Sequence, residues 1–203
     1  MVFNNIKNMV VCRRNIIICL LILLMTFIGS CTTPQPPRNP DNICKIFKQN
    51  PKWRRSAYKV AKKWHIPVAV QMAIMHQESH FRAKSKPSRR KLLWVIPWTR
   101  PSSAYGYSQV LDSTWKRYKD RSGSWFSSRS SFSDADDFIG WYANQAHIRA
   151  GISRSDAYAL YLSYHEGIGG YQRKTYLRKP WLMQVARKVE RRAQMYNTQF
   201  QKC

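Results

Sequence analysis

Apolar residues along the chain recur mostly at helical spacing, three or four positions apart. No stretch alternates apolar and polar residues for more than a few positions, so the pattern predicts an all-α fold. Two helices are expected to follow Ser-x-x-Asp starts at Ser133 and Ser153, and Gly151 suits the end of the first of them. The other main helices are predicted over residues 53–65, 67–79, 108–118 and 180–199.

The segment 67–79 is predicted to be an amphipathic helix that carries one carboxylate, Glu78, on its apolar side. Pro67 suits the first helical position, and Val70 and Ile74 lie on the same face as Glu78. A carboxyl group held against apolar neighbours has a raised pKa, which allows it to donate a proton near neutral pH. The alternative is a solvated residue in the last turn, and the helix taken alone favours that alternative.

Acidic residues are scarce, which strengthens the interpretation of Glu78 as a proton donor. The chain has 35 Lys and Arg residues against 10 Asp and Glu, and its formal net charge is +25. Only Glu78, Glu166 and Glu190 are glutamates, so a general acid has few candidates. The positive excess predicts attraction to a polyanion, which could be nucleic acid, an anionic membrane surface or a cell-wall polymer. A basic domain kept soluble by self-repulsion is the alternative.

Residues 1–30 are predicted to be an export signal. Three cations precede an apolar run from Ile16 to Ile28, which is short for a membrane span, and Gly29-Ser30-Cys31 follows. The segment 28–31 resembles a bacterial lipobox, which implies that Cys31 becomes the lipidated first residue; an uncleaved anchor helix is the alternative. Thr32 after this cysteine implies the periplasmic face of the outer membrane of a Gram-negative bacterium.

After the signal, the pattern predicts a tether and one folded domain. Residues 31–42 hold the lipidated cysteine and a Pro-rich stretch without large apolar residues, and residues 43–203 suit a single core. Cys44 and Cys203 are the cysteines left in this domain. Because an exported chain meets an oxidising compartment, we expect these two to form a disulfide.

The region between Ser79 and Leu111 contains no acidic residue and is rich in cations and aromatic residues. Its basic part, Lys84 to Arg100, could line a groove for an anionic polymer, clamp a membrane surface, or fold its own apolar residues onto the core. The sequence leaves these three open. The seven cations are Arg82, Lys84, Lys86, Arg89, Arg90, Lys91 and Arg100.

The other candidate residues do not match a known pattern for a metal site, a serine nucleophile or a phosphate-binding loop. His76 and His80 are four residues apart, but Glu78 does not follow the first histidine directly as in the zinc-protease pattern, so surface or capping histidines are expected. Ser79 has no nucleophile-elbow context, and no Gly-rich phosphate loop is present. We expect neither a metal nor a cofactor.

Three motifs in order resemble the lytic transglycosylase family, over about residues 52–200. They are Glu78-Ser79 at a helix end, the segment 104–110 (Ala-Tyr-Gly-Tyr-Ser-Gln-Val) with Thr114 after it, and the segment 164–167 (Tyr-His-Glu-Gly). The resemblance implies a lysozyme-like domain. It also implies cleavage of peptidoglycan between N-acetylmuramic acid and N-acetylglucosamine, which leaves a 1,6-anhydro end.

The resemblance further implies roles for single residues. Glu78 would act as general acid and then as base, and one carboxylate is enough because the substrate's own C6 hydroxyl is the nucleophile. Gln109 and the backbone around Gly106 would hold the acetamido sugar, and Tyr164 would orient Glu78 by a hydrogen bond. The expected substrate-binding residues are Ser79, Gly106, Tyr107, Gln109, Tyr164, His165 and Glu166.

Two departures from the family pattern leave alternatives open. His165 stands where the family usually has Asn, and Glu166 adds an acid near the site, so a muramidase-type hydrolase is the first alternative. The basic segment also lengthens the spacing between Glu78 and Gly106. A non-catalytic peptidoglycan-binding lipoprotein is the second alternative. Export argues against a specific nucleic-acid partner, and we expect a monomer held at the membrane by its lipid.

Overall fold

The computed structural model describes residues 34–87, 91–92, 96–97 and 102–203. The predicted signal over residues 1–30, the lipidation site at Cys31 and most of the basic segment lie outside the described residues. The described elements are α1 (Ile43–Gln49), α2 (Pro51–Trp64), α3 (Val68–Ser79), β1 (Lys91–Leu92), β2 (Ile96–Pro97), α4 (Asp112–Arg121), α5 (Phe132–Ala150), α6 (Ala157–Glu166), α7 (Ile168–Gln172), a 3-10 turn (Thr175–Arg178) and α8 (Pro180–Phe200).

Helices make the core, and the all-α prediction is confirmed. The strand structure within the described residues amounts to two short features. One is the antiparallel pair of β1 and β2, in which Lys91 lies opposite Pro97, and the other is an isolated bridge between Tyr105 and Val110.

Helix α3 lies at the centre of the domain. It packs against α2, α5, α6 and α8. All of its residues from Val68 to His76 are buried, and so is Ser79. The prediction of an amphipathic helix with a solvated face is therefore wrong, because a helix enclosed by neighbours on several sides needs an apolar surface nearly all round. Pro67 precedes the helix as its N-cap instead of occupying the first helical position.

Three other predicted helix starts are also wrong. Helix α4 begins at Asp112, four residues later than predicted, because Gln109 has φ 46° and Leu111 is extended. Helix α5 begins at Phe132 after Ser131, and Asp136 lies buried inside it instead of capping it. For α6 the cap is Asp156 itself, whose side chain accepts a hydrogen bond of 2.9 Å from the backbone N–H of Ala159. Gly151 ends α5 in the left-handed conformation, as predicted.

The cluster of aromatic residues between α2 and the 102–131 region forms one part of the core. The Trp53 ring stacks on Phe132 with centroids 4.2 Å apart, and Tyr107 contacts both rings edge-on. A second aromatic cluster surrounds Phe138 on α5 and includes Tyr142 and Tyr164. The second cluster is the one that reaches the functional cleft.

The two ends of the folded unit, Pro34–Cys203, are held together. A disulfide joins Cys44 on α1 to Cys203, with Cα atoms 5.9 Å apart, which confirms the predicted pairing. The segment predicted to be an unpacked tether contacts the domain in its last part. Pro37 is buried, and Asp41 forms an ion pair of 2.7 Å with Arg192 on α8. Among the described residues, no helix is both long and apolar enough to cross a membrane.

Candidate active site

Glu78 lies in the last turn of α3, where its side chain is half-buried at the edge of a cleft. Burial raises the pKa of Glu78 to about 7 because the charged form loses water, and a hydrogen bond from the Tyr161 hydroxyl partly offsets this by favouring the carboxylate. A carboxyl group with a pKa near neutrality exists in both protonation states at physiological pH. It is therefore equipped to give and to take a proton.

A raised pKa by itself does not identify the site, as Asp136 shows. Its side chain is fully buried on α5, and burial raises its pKa to about 8. One oxygen accepts a hydrogen bond of 3.1 Å from Ser56, and the other has no partner within the described residues. No solvent reaches Asp136, so no substrate reaches it either. Glu78 combines a raised pKa with access to a cleft.

The cleft beside Glu78 has a volume of about 490 Å³. Five of the predicted site residues line it: Glu78, Gln109, Tyr164, His165 and Glu166. They come from the end of α3, the turn before α4 and the end of α6. Glu78 therefore meets, in one cavity, residues that lie 31 to 88 positions after it in the sequence. The remaining lining residues are Ala104, Val110, Leu111, Thr114, Phe138, Tyr142 and Gly167.

Gln109 is held rigidly with one end of its amide facing the cleft. Its Nε2 donates to the backbone carbonyl of Ser85 at 2.9 Å and to that of Gly106 at 2.8 Å. Both N–H groups are thereby used, and no described residue donates to Oε1. Because the orientation of the amide is fixed, the Gln109 oxygen is a hydrogen-bond acceptor available to a ligand N–H.

Three predicted substrate-binding residues do not line the cleft. Gly106 has φ 80° and packs against the Arg129 backbone, so it shapes the turn that presents Gln109. Tyr107 is fully buried in the aromatic core. Ser79 is 2 % exposed, and its hydroxyl donates to the carbonyl of Met75 at 3.2 Å. The expected direct contact of these residues with substrate is corrected to a supporting role.

The hydrogen bond predicted between Tyr164 and Glu78 is also wrong. The Tyr164 hydroxyl donates to the backbone carbonyl of Ser108 at 2.6 Å, which uses its single proton. The donor to Glu78 is Tyr161, one turn earlier on α6. Tyr164 instead ties α6 to the turn that carries Gln109.

Glu166 lines the same cleft but is held by its neighbours. Its side chain is 4 % exposed, and Oε1 accepts from Lys179 at 2.7 Å and from the His165 ring at 3.1 Å. Oε2 accepts a hydrogen bond from the Thr175 hydroxyl. Burial alone would raise the pKa of Glu166, but these hydrogen bonds and the charge of Lys179 lower it to about 2. Glu166 is an ionised residue that fixes the α6 end to the 3-10 turn.

Phe138 and Tyr142 line the cleft, and Tyr161 acts on Glu78. The sequence pattern indicates for these three residues only positions in helices. Tyr161 lies three residues before Tyr164, so the two share a helix face, and this spacing was the available signal for a second tyrosine near Glu78. Phe138 and Tyr142 gave no such signal, because their position at the cleft depends on how α5 packs.

The structure offers no obvious metal site in the part of the chain that it describes. No group of three or more His, Cys, Asp or Glu side chains lies close enough together to hold an ion there. His80 caps α3 in the left-handed conformation, as expected of a capping histidine. His76, in contrast, is only 8 % exposed and is not a surface residue.

Comparison with known proteins gives one match. A family model described as "Transglycosylase SLT domain" matches residues 19–203, which is most of the chain. No curated protein and no solved structure matches the chain significantly.

Proposed function

The chain belongs to the transglycosylase SLT-domain family and has its lysozyme-like all-α fold, and from this premise we propose that Glu78 is its catalytic acid and base. Its function is of the lytic transglycosylase type, directed at peptidoglycan. The proposed reaction cleaves the β-1,4 bond between N-acetylmuramic acid and N-acetylglucosamine. The observation that carries the proposal is a cleft-facing carboxyl group, Glu78, with a pKa raised to about 7.

In the first step, the protonated Glu78 carboxyl donates its proton to the bridging oxygen. The bond between that oxygen and C1 of the muramic acid breaks, and the N-acetylglucosamine leaves with a free C4 hydroxyl. The burial that keeps Glu78 partly protonated at neutral pH supplies the acid for this step.

In the second step, the Glu78 carboxylate takes the proton of the C6 hydroxyl of the same muramic acid. The freed O6 attacks C1 and closes the 1,6-anhydro ring, so no water is consumed and Glu78 is again protonated. Tyr161 supports this step, since its hydrogen bond favours the carboxylate. A single carboxylate thus serves both steps.

The state of Glu166 favours this reaction over hydrolysis. A glycoside hydrolase generally needs a second carboxylate, as base or nucleophile. Glu166 is the other carboxylate that lines the cleft, and both of its oxygens are engaged by Lys179, His165 and Thr175. A residue that holds two elements together is poorly placed to activate water or attack a sugar.

We assign recognition of the acetamido sugar to Gln109. Its Oε1 accepts no hydrogen bond from the described residues, while its Nε2 is fixed by two backbone carbonyls. An acetamido N–H is a suitable donor to this oxygen. The half-buried ring of Tyr142, which packs against the buried Phe138, provides apolar surface for the sugar face.

The cellular setting is likewise a proposal. A lipid on Cys31 would hold the domain at the periplasmic face of the outer membrane, as a monomer close to its polymeric substrate. Radiolabelled palmitate should enter the wild-type chain and not the Cys31→Ser variant. Labelling of both chains would contradict lipidation at this residue.

The decisive experiment is mass spectrometry of muropeptides released from purified peptidoglycan by residues 32–203. We expect 1,6-anhydro products from the parent chain and at least a thousandfold loss with Glu78→Gln, because the amide cannot exchange a proton. Glu190→Gln is the matched control, since it removes the same charge from a glutamate outside the cleft.

The product type separates the alternatives. Reducing ends instead of anhydro ends, lost in Glu166→Gln, would establish a hydrolase. Release of nothing by the parent chain, with sacculi still bound, would establish a non-catalytic binding protein.

A further inference from the structure

A second cavity, of about 550 Å³, lies between α3 and α8. Its lining includes none of the residues that line the Glu78 cleft. Two residues along a helix correspond to a rotation of about 200°, so His76 and Glu78 point to different sides of α3. The polar residues that α3, its C-cap and α8 contribute to the cavity are His76, Gln77, His80, Lys188, Arg191 and Arg192.

These residues form two facing stripes. His76 and His80 are four positions apart, as are Lys188 and Arg192, and such spacings place side chains on one face of a helix. The packing of α3 against α8 brings the stripes together. Asp41, from the segment before α1, closes one end of the cavity.

The cations of this cavity outnumber its carboxylates. Arg192 pairs with Asp41 at 2.7 Å and also donates to the Tyr196 hydroxyl at 3.2 Å. Lys188 and Arg191 are exposed, and neither forms an ion pair within the described residues. Asp41 is thus already neutralised by Arg192, and two positive side chains remain at the mouth of the cavity.

His76 is a polar side chain of this cavity whose nitrogens have no hydrogen-bond partner among the described residues. The residue is 8 % exposed, and its ring makes no hydrogen bond to the described residues. Its ring contacts are aromatic, with His80 at 4.6 Å and Phe81 at 5.7 Å between centroids. The ring nitrogens of His76 are not sealed from solvent, and the residue lines the cavity, so its N–H is available to a ligand that accepts a hydrogen bond.

We propose that this cavity is a binding site for an oxyanion, a phosphate or carboxylate group, that accepts from His76 and pairs with Lys188 and Arg191. A metal ion is a poor fit, because three cationic side chains would repel it. The cavity is several times larger than a phosphate group, so the oxyanion belongs to a larger molecule. Two sources share this chemistry, the carboxylates of peptides and the phosphates of lipid headgroups.

Binding should change the protonation of His76. Burial, and after it the charges of Arg192 and His80, lower the pKa of His76 to about 4, while Asp41 acts in the opposite direction. The groups that face it are Asp41, His80, Lys188, Arg191 and Arg192. An oxyanion among them offsets their repulsion, so the pKa of His76 should rise on binding.

The test is a titration of residues 32–203 with inorganic phosphate, followed by NMR of the histidine imidazoles at several pH values. We expect saturable shifts of the His76 resonances and an increase in its pKa. Lys188→Ala/Arg191→Ala should weaken phosphate binding at least tenfold. Arg55→Ala/Lys59→Ala is the matched control, since it removes one arginine and one lysine from an exposed face of α2 and should change binding less than twofold.

Equal weakening by both double variants would mean that net charge alone attracts phosphate, and it would overturn the proposal. His76 resonances that stay unchanged at saturation would do the same. Two further titrations distinguish the sources, one with a short peptide that has a free terminal carboxylate and one with phosphatidylglycerol vesicles. The titrant that displaces phosphate from His76, peptide or vesicle, identifies the class of the natural ligand. If neither displaces phosphate, the assignment to a larger ligand is overturned.

Discussion

Among the residues that the structure describes, tyrosines and not charges act on the Glu78 carboxyl. Tyr161 donates to it, and Tyr164 lies close enough for the Glu78 charge to raise the pKa of the Tyr164 hydroxyl, which burial has already raised. The causes that set the pKa of Glu78 are burial and this one donor, and no ion pair among the described residues holds the carboxylate. A neutral environment of this kind leaves the pKa of Glu78 sensitive to the loss of a single hydrogen bond.

Removing the Tyr161 hydroxyl should move the alkaline limb of the pH profile. The hydrogen bond lowers the pKa of Glu78, so Tyr161→Phe should raise that pKa above about 7. Glu78 would then stay protonated, and active as an acid, to a pH about one to two units higher, because a hydrogen bond to a charged group contributes about 1.5–3 kcal/mol. The initial rate of muropeptide release at low substrate, followed from pH 5 to 9, measures the limb.

Tyr164→Phe is the control for this shift. It removes the same atom from the same helix, but its hydroxyl donates to the Ser108 carbonyl. We expect a lower rate with the alkaline limb in its original place. A limb that moves equally in both variants would contradict a specific role for Tyr161.

The sequence predicted the carboxyl group that lines the cleft, Glu78, but not the tyrosine that acts on it. Glu78 stood out because acids are rare in the chain and apolar neighbours surround it in the helix. The choice between Tyr161 and Tyr164 depends on the rotation of α6 and on the position of the Ser108 carbonyl, which belongs to another element. Sequence spacing shows that both tyrosines share a face, but it does not show which one meets Glu78.

The turn between Tyr105 and Val110 is the element that presents Gln109 to the cleft. Gly106 has φ 80° there, and a Cβ at this position would overlap the carbonyl oxygen of Arg129. The backbone N–H of Tyr107 donates to that same carbonyl at 3.0 Å. The turn therefore depends on a close approach of two backbones that only glycine permits.

Gly106→Ala should destabilise the domain by about 3 kcal/mol, from backbone strain and steric overlap together. Gly151→Ala is the matched control, because Gly151 also has a positive φ, 67°, but a Cβ there meets no atom within 4 Å. It should cost only about 1 kcal/mol, the strain alone. Urea unfolding of both variants measures the difference, and equal losses would contradict the importance of the Arg129 contact.

The presence of the helices was predictable from the sequence. How many neighbours pack around a helix, and at which residue it begins, was not always predictable. The apolar run from Val68 to Met75 is broken only by Gln71, whose amide donates to the Ile66 carbonyl at 2.7 Å. Such a run fits both a buried helix and one side of an amphipathic helix, and only the number of packed neighbours decides. The start of α4 was missed because the positive φ of Gln109 is set by its own side-chain hydrogen bonds.

For the molecule as a whole, the disulfide is expected to be a main source of stability. It links positions 159 residues apart, and closing so long a loop stabilises the folded state by about 4–5 kcal/mol in the chain-entropy model. Cys44→Ser/Cys203→Ser should lower the free energy of unfolding by that order, measured with guanidinium chloride. Reductant should lower the stability of the parent chain to the same level.

The same reductant should leave the double variant unchanged, which controls for effects on the rest of the protein. A parent chain whose stability is indifferent to reductant would contradict the expected contribution. The pairing itself was predictable, because only two cysteines follow Cys31 in the sequence. The packing of residues 37–42 was not, since their Pro-rich composition is typical of an unpacked tether.

The bond between Cys44 and Cys203 also makes the chain between them a covalent ring. A ring that is opened once remains a single molecule. A protease that cuts the loop at Trp125 or Phe126, which are 80 % and 90 % exposed, would leave two fragments joined through sulfur. Glu78 would lie on one fragment and Glu166 on the other, with both walls of the cleft still attached. The nick would become visible as two separate bands only after reduction.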